Sequence, residues 1–353
     1  MFESLGFENL TAPQAALWLG VILGLLFGAL AEVTRFCLRR AVAGDVAERR
    51  SAAGVWAVAL AAAIVGTQYA MLSDLLDFSD HRFFVSDLPV AAIVLGGLMF
   101  GAGMVLTRGC VSRLTVLAGS GNLRAVFVLI VFAVTAHATL KGVLAPIRTT
   151  LGSVTISLGE TVSLASLPGG TALWAALLVV AALAIALRSG ARPSHLGLAV
   201  LLGLLVPAGW VGTGFVLFDD FDPVALETLS FTSPAADALF WTIASTSIPA
   251  GFGTGLIGGV FAGAMVLAIL SRRFQWQSFE SPAQTGRYAG GAMLMGVGGV
   301  LAGGCTVGAG LSGVATLSVS AVLALGAIIA GGLITARLLA GTDNRRADAI
   351  PAE

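Results

Sequence analysis

Three cysteines, Cys37, Cys110 and Cys305, are the residues of this chain best suited to chemistry. Two of them end closely similar stretches, "GAGMVLTRGC" (101–110) and "GVGGVLAGGC" (296–305), and all three lie in or beside apolar, glycine-rich segments. An odd number of cysteines excludes a complete disulfide framework, and neither a CxxC pair nor a Cys/His cluster predicts a metal site. A single buried cysteine is often an inert small hydrophobe, but recurrence in matching settings favours a shared function.

The chemistry that these segments favour is weak binding of a small anion. Glycine lets the chain turn and lets a ligand approach the backbone, and a helix that starts after the turn presents unpaired N–H groups to an anion. A thiol with an ordinary pKa of about 8.5 stays protonated at neutral pH and donates a weak hydrogen bond. The hydroxyls of Ser112 and Ser312 add donors. The candidate residues along such a path are Cys37, Cys110, Cys305, Gly109, Gly304, Thr306 and Arg108.

A catalytic role for the cysteines is the weaker interpretation. A nucleophilic cysteine needs a nearby base, usually histidine. His81 and His195 fall in connections, His137 falls within an apolar run, and none shares a short motif with a cysteine. We therefore predict a protein that is not an enzyme, with no catalytic residues, no metal and no cofactor. A membrane enzyme that transfers sulfur through cysteine persulfides is the alternative.

Charged residues flank two of the cysteines. Glu32 and Arg35 precede Cys37, and Arg108 and Arg113 surround Cys110. Charges inside a membrane are costly and often functional. Residues three apart on a helix can also simply pair, as Glu32 and Arg35 are spaced to do, and arginines commonly mark the cytoplasmic edge.

The high hydrophobic and low charged content of the chain indicates that these segments lie in a membrane. Of the 353 residues, 57% are hydrophobic and only 11% are charged, whereas a soluble domain carries about 25% charged residues. The net charge is zero, which excludes a basic field for nucleic acid. The acidic start, "MFESLGFENL", does not predict a cleavable signal peptide. The chain is therefore expected to be an all-α polytopic membrane protein in contact with lipid.

Apolar runs of spanning length number about nine. They are expected at 13–31, 54–72, 88–107, 124–144, 171–188, 196–217, 237–270, 287–303 and 315–340. The seventh run is over-long, and the cluster "SIPAGFGTG" predicts that its helix ends or kinks there.

The connections between runs alternate in charge. "RFCLRRAVAGDVAERR", "LRSGARPSH" and "SRRFQWQSFE" are basic, whereas "SDLLDFSDHRFFVSD" and "FDDFDPVALE" are acidic. Because lysine and arginine accumulate on the cytoplasmic side, we predict a periplasmic N-terminus and a cytoplasmic C-terminus. The loops of Asp77 and Asp220 then face outside, and Arg49, Arg192 and Arg273 face inside. The connection from Lys141 to Arg148 falls outside and runs against this rule.

The two Gly-Cys stretches belong to a longer internal similarity. "GLLFGALAEVTRFC" (24–37) aligns with "GLLVPAGWVGTGFV" (203–216), which places Val216 opposite Cys37. The sequence therefore predicts one transmembrane domain (1–353) with a first half (13–144), a linking span (171–188) and a second half (196–340). By the charge assignment the halves are inverted, and inverted repeats with broken or re-entrant helices are typical of transporters with a midplane site. Glycine-rich membrane helices can also resemble each other through composition alone.

At these residues the sequence resembles the YeeE/YedE family of bacterial inner-membrane sulfur-compound transporters. The resemblance rests on "RGCVSRLTVLAGSGNLRA", "FCLRRA", "GGAMLMGVGGVLAGGCTVGAGLSG" and the preceding "SRRFQWQSFESPAQTGRYAGG", and it covers nearly the whole chain. It implies uptake of thiosulfate into the cytoplasm, with three cysteines that line the path and pass the ion along through S–H contacts. Carried over, these are Cys37, Cys110 and Cys305.

The resemblance also implies a partner protein, and it does not specify which sulfur or selenium compound is transported. Family members often work with a small cytoplasmic sulfur-carrier protein, which here would be a separate chain. The first Gly-Cys motif continues "VSRL" where other members have more glycine, so transport of another small sulfur or selenium compound is the alternative.

Overall fold

The structure is a computed structural model that describes residues 10–219 and 222–348, with side chains up to residue 341. The acidic segment 1–9, the C-terminal residues and Asp220 of the second acidic connection lie outside the described residues. The described helices are α1 (Ala12–Thr34), α2 (Leu38–Ala43), α3 (Val46–Leu72), α4 (Val90–Leu106), α5 (Val111–Gly119), α6 (Leu123–Lys141), α7 (Ala145–Gly152), α8 (Gly170–Leu187), α9 (Pro193–Val211), α10 (Thr232–Ala244), α11 (Phe252–Leu270), α12 (Pro282–Leu301) and α13 (Val319–Asp348).

Short elements complete the chain. Two-residue strands β1 (Asp87–Leu88) and β2 (Ile156–Ser157) pair antiparallel. Single 3₁₀ turns cover Arg82–Phe84 and Leu164–Ser166. π-helical segments cover Gly212–Val216 and Gly308–Gly313.

Eight helical segments in the described residues are long and apolar enough to cross a membrane, which confirms the predicted all-α polytopic class. The predicted run 287–303 overlaps α12 and ends two residues beyond it. Helix α12 is not among the eight because Gln284, Arg287 and several glycines lower its hydropathy. The predicted run 237–270 is two helices, α10 and α11, separated at the Pro/Gly cluster as expected, and only α11 is among the eight.

Three of the eight segments contain a break within the span. The first (Ala12–Ala43) joins α1 to α2 through Cys37, and the third (Val90–Gly119) joins α4 to α5 through Cys110. The sixth (Pro193–Val216) runs from α9 into the first π-helical segment. Non-helical backbone at membrane depth is tolerated only where protein or a water-filled cavity surrounds it. Cys37 and Cys110, at the first two breaks, are buried within the protein.

Glycines let α1 and α11 pack backbone to backbone. On α1, a Cβ at Gly20, Gly24 or Gly28 would collide with carbonyl oxygens of α11. In return, a Cβ on α11 at Gly255 or Gly259 would collide with carbonyl oxygens of α1. Such small-residue spacing is how membrane helices approach closely enough for strong van der Waals packing.

The helices of the first and the second half of the chain pack against each other in reciprocal pairs. Helix α1 packs along α11 while α3 packs along α9, and α4 packs along α13 while α6 packs along α12. In addition, α4 contacts α12 and α1 contacts α9. The helices that lead into the breaks therefore contact each other in two pairs, α1 with α9 and α4 with α12.

The connections gather into two groups at opposite ends of the bundle. In the first group, β1 pairs with β2, and Ser318 donates a hydrogen bond to the carbonyl of Phe83 (2.7 Å). In the second, the N–H of Leu123 donates to the carbonyl of Gln277 (2.8 Å). The first group lies beside a further break in the chain, the last one, which contains Cys305 between α12 and the second π-helical segment.

Candidate functional site

All three cysteines follow the same backbone turn. The residue two positions before each cysteine has a positive φ, 54° at Arg35, 60° at Arg108 and 72° at Gly303. This conformation is uncommon outside glycine, and it ends α1, α4 and α12 while turning the chain into the bundle. Cys37 and Cys110 consequently form the N-caps of α2 and α5.

Backbone N–H groups three residues further on turn toward the thiols. The N–H of Gly308 donates to Sγ of Cys305 at 3.3 Å. The N–H groups of Arg40 and Arg113 interact with Cys37 and Cys110 in the same way, although neither makes a full capping hydrogen bond. Each cysteine thus stands where a helix or π-helical segment presents N–H groups and partial positive charge.

The fold brings the cysteines into one buried cluster. Their exposed fractions are 2%, 1% and 0% for Cys37, Cys110 and Cys305, so the thiols are sealed from bulk water. Sγ of Cys110 is 3.3 Å from Oγ of Ser112. Cys110 is close enough to interact electrostatically with the thiols of both Cys37 and Cys305. Distant parts of the sequence therefore converge on a single site.

The predicted donor Thr306 completes this cluster. Its hydroxyl is 1% exposed and faces the Cys110 thiol, but within the described part of the chain it forms no hydrogen bond of full geometry. A buried hydroxyl without a partner is destabilising, and a bound ion would provide the missing hydrogen bond. Gly109 and Gly304 are buried beside the cysteines, whereas the Arg108 side chain is exposed and shapes the break through its backbone.

A largely buried ion pair lies near Cys37 and Cys110. Nη1 of Arg113 is 3.4 Å from Oε2 of Glu32 and also donates to the carbonyl of Ala31 (3.3 Å). The alternative that Glu32 pairs with Arg35 is wrong, because Arg35 lies in the left-handed turn after α1 and cannot continue the helical spacing. The positive charge of Arg113 interacts electrostatically with the Cys37 thiol.

An open vestibule of about 610 Å³ reaches the π-helical segment that follows Cys305. It lies between the connection 73–89 and the segment 225–234, and its floor includes Gly308 and Ser312 of the last break. The hydroxyl of Ser312 donates to the carbonyl of Leu229 (2.7 Å), which holds the segment against the break.

Three of the titratable side chains that line this vestibule have shifted pKa values, and none of the three is among the predicted site residues. Burial, and then the neighbouring Arg82, lower the pKa of His81 to about 4, so the imidazole is neutral at pH 7. Burial also lowers the pKa of Arg82, although its side chain is open to the vestibule. Burial raises the pKa of Glu227, and Arg82 opposes that effect. The charged patterns "SDHRFF" and "DPVALE" were the available signal.

A second cavity of about 290 Å³ reaches the same break from another direction. It shares Arg82 with the vestibule, ends at Gly303 and contains Arg148. Among the described residues, no group of three or more His, Cys, Asp and Glu side chains is placed to hold a metal ion. The thiols, hydroxyls and backbone amides at the centre can donate hydrogen bonds to a ligand.

Comparison with known proteins gives consistent matches over most of the chain. The model of a family described as "Sulphur transport" matches residues 33–334. The chain is 26% identical over 326 residues to the thiosulfate transporter TsuA of Escherichia coli (strain K12), covering 83% of this chain and 86% of that protein. It is 24% identical over 339 residues to the thiosulfate transporter TsuA of Spirochaeta thermophila, covering 86% of this chain and 92% of that protein.

Proposed function

Because the chain belongs to the sulphur transport family, we propose that it carries thiosulfate across the bacterial inner membrane into the cytoplasm. Two relatives that match most of the chain are named thiosulfate transporters. The observation that carries the proposal is the convergence of three buried thiols around a Thr306 hydroxyl that lacks a full hydrogen bond.

Weak donors suit an anion that must leave as well as enter. A dianion taken from water loses a large solvation energy, which charge-assisted hydrogen bonds must replace. A lysine or arginine at the centre would hold the ion too firmly, whereas conduction requires modest affinity at several sites. Thiols, one hydroxyl and helix N-termini provide modest affinity, and the polarisable sulfur of a thiol suits the terminal sulfur of thiosulfate.

The proposed path runs through the breaks at Cys305, Cys110 and Cys37, in that order. Thiosulfate enters the vestibule, reaches Cys305, passes to Cys110 and Thr306, and leaves past Cys37. The backbone amides beside Gly109 and Gly304 provide further donors. Arg108, at the surface beside the second break, contributes its positive charge on the exit side.

The orientation follows from the charge of the connections. With the vestibule outside, the N-terminus is periplasmic, and the basic segment 35–50 lies on the cytoplasmic side at the exit. A separate small sulfur-carrier protein in the cytoplasm would receive the ion there. Lipid surrounds the exposed apolar faces of the spans.

Uptake of thiosulfate that is labelled at one or the other of its two sulfur atoms tests transport of the intact ion against transfer of a single sulfur. Cells that lack their own uptake systems and express the chain receive thiosulfate labelled either at the terminal or at the central sulfur. Transport of the intact ion brings both labels in equally, whereas persulfide transfer would deliver only the terminal sulfur and leave sulfite outside. Sulfate, sulfite and selenite serve as competitors, and stronger competition by one of them than by unlabelled thiosulfate would reassign the cargo.

A further inference from the structure

Glu227 and Arg82 face the same vestibule from different connections. Arg82 comes from the 3₁₀ turn Arg82–Phe84, and Glu227 comes from the segment that follows the first π-helical segment. The two side chains influence each other electrostatically, yet in the described part of the chain no salt bridge joins them. A cation and a carboxyl group therefore border the entrance without neutralising each other by direct contact.

The backbone of Glu227 is fixed. Its N–H donates to Oγ1 of Thr213 (3.1 Å), and the same hydroxyl donates to the Glu227 carbonyl (2.8 Å). The next residue, Thr228, donates to the carbonyl of Val206 (2.7 Å). These bonds tie the segment to α9 and to the π-helical segment, so the Glu227 carboxyl is held at the wall of the vestibule.

An ionised carboxylate at this position opposes the proposed cargo. It repels a dianion that must pass it to reach Gly308 and Ser312, whereas a carboxylic acid has no net charge and can donate a hydrogen bond. Burial already raises the pKa of Glu227, and an approaching dianion favours the protonated form further.

Among the described charged groups around the vestibule, Glu227 is the one that can change between an ionised and a protonated form when the anion binds. Asp237 of α10 adds negative potential, and Arg82 opposes it. His81 is neutral at pH 7 because burial lowers its pKa to about 4. Asp77 and Asp80 also line the vestibule, but their side chains are exposed to solvent.

We propose that Glu227 takes up a proton when a thiosulfate ion enters the vestibule, so that the Glu227 carboxylic acid and the Arg82 guanidinium hold the dianion together. Binding at the entrance is then proton-linked, with up to one proton bound per ion. This inference rests on the proposed function, since it concerns the entrance of the same path.

Calorimetric titration of the purified full-length protein with thiosulfate tests the linkage directly. Titrations at one pH in buffers of different ionisation enthalpy give the number of protons taken up with each ion. The wild type should take up a proton fraction that approaches one above the pKa of Glu227, and its affinity should fall by up to about tenfold for each unit of pH increase there. Glu227→Gln should bind without proton uptake and with an affinity that hardly changes with pH.

Matched variants separate this role from a structural one. Asp77→Asn removes an exposed carboxyl from the same vestibule and should leave proton uptake at the wild-type value. Glu227→Asp keeps a titratable group and should restore proton uptake if Glu227→Gln has lost it. Thermal unfolding of each purified variant identifies any loss of binding that comes from loss of the fold.

The outcomes distinguish the two proposals. Thiosulfate binding without proton uptake in the wild type, or unchanged proton uptake in Glu227→Gln, overturns the role of Glu227 and leaves the proposed function intact. A wild-type protein that binds no thiosulfate at any pH contradicts the proposed function and this inference with it.

Discussion

Cys110 and Cys305 stand at matched positions in two breaks, and each is in contact with donors from the backbone or from another side chain. We predict that Cys110→Ala and Cys305→Ala each reduce thiosulfate uptake by about tenfold to a hundredfold, because a hydrogen bond to a charged ligand contributes about 1.5–3 kcal/mol. Uptake is measured at equal membrane expression. Rates near the wild-type value in both variants would rule out a relay of thiols.

Thr306 provides a finer test of the same cluster. Thr306→Val keeps the side-chain shape and removes the hydroxyl, so we expect thiosulfate affinity to fall by about fivefold, as for one neutral hydrogen bond of about 1 kcal/mol. Thr115→Val is the control, because Thr115 is equally buried but its hydroxyl already donates to the carbonyl of Val111 (3.0 Å). Equal affinities in a calorimetric titration of both variants would exclude Thr306 as a ligand.

Sequence reasoning located the cysteines but not all of their geometry. The Gly-Cys repeat predicts that Cys110 and Cys305 occupy equivalent positions. The alignment gives Cys37 no equivalent cysteine, because Val216 lies opposite it. The left-handed residue two positions before each cysteine shows that Cys37 shares the local turn of the other two. A signal was present, since "VTRFC" (33–37) and "LTRGC" (106–110) share Thr, Arg and Cys at the same spacing.

At the scale of elements, close helix packing depends on individual glycines. Gly258 and Gly259 are neighbours on α11, but a Cβ at Gly259 would meet the Val21 carbonyl of α1, whereas no atom lies within 4 Å of the corresponding position at Gly258. We predict that Gly259→Ala destabilises the protein by about 1–3 kcal/mol through overpacking. Gly258→Ala should be neutral or stabilise it by up to about 1 kcal/mol, because alanine favours the helix.

Thermal unfolding of the two purified variants in detergent measures this difference. The two substitutions add the same methyl group to the same helix one residue apart, so lipid and detergent effects are matched. A lower melting temperature for Gly258→Ala than for Gly259→Ala would contradict the assigned contact between α1 and α11.

Apolar periodicity predicted the elements better than their assembly. Long apolar runs and the Pro/Gly cluster between α10 and α11 follow directly from hydropathy and backbone preference. The vestibule could not be predicted in this way, because Arg82 and Glu227 come from connections far apart in sequence, and hydropathy does not specify how polar connections fold over a bundle. The predicted run 287–303 covers most of α12 (Pro282–Leu301), and the polar first turn of that helix lies outside the predicted run.

At the scale of the whole molecule, the helix contacts support the proposal of two exchanged halves. The aligned stretches equate α1 with α9 and α4 with α12, and chain order then equates α3 with α11 and α6 with α13. Exchanging the halves converts the α1–α11 contact into α9–α3, and the α4–α13 contact into α12–α6, and both members of each pair are present. In the proposed arrangement the chain crosses the membrane five times before α9, through α1, α3, α4, α6 and the linking helix α8. Because five is odd, α9 enters the membrane from the face opposite to that of α1.

Inversion predicts the side on which each connection lies, and the proposed path depends on it. In a background that lacks Cys37, Cys110 and Cys305, single cysteines replace the exposed residues Asp77, Asp222, Arg49, Arg192 and Arg273 one at a time. We expect a membrane-impermeant maleimide to label positions 77 and 222 on intact cells, and the three arginine positions only after the cells are opened. The vestibule needs 77 and 222 on one side, because Asp77 and Glu227 both line it. If these two positions report opposite faces, the halves are not inverted, and the breaks at Cys110 and Cys305 cannot approach the centre from opposite sides.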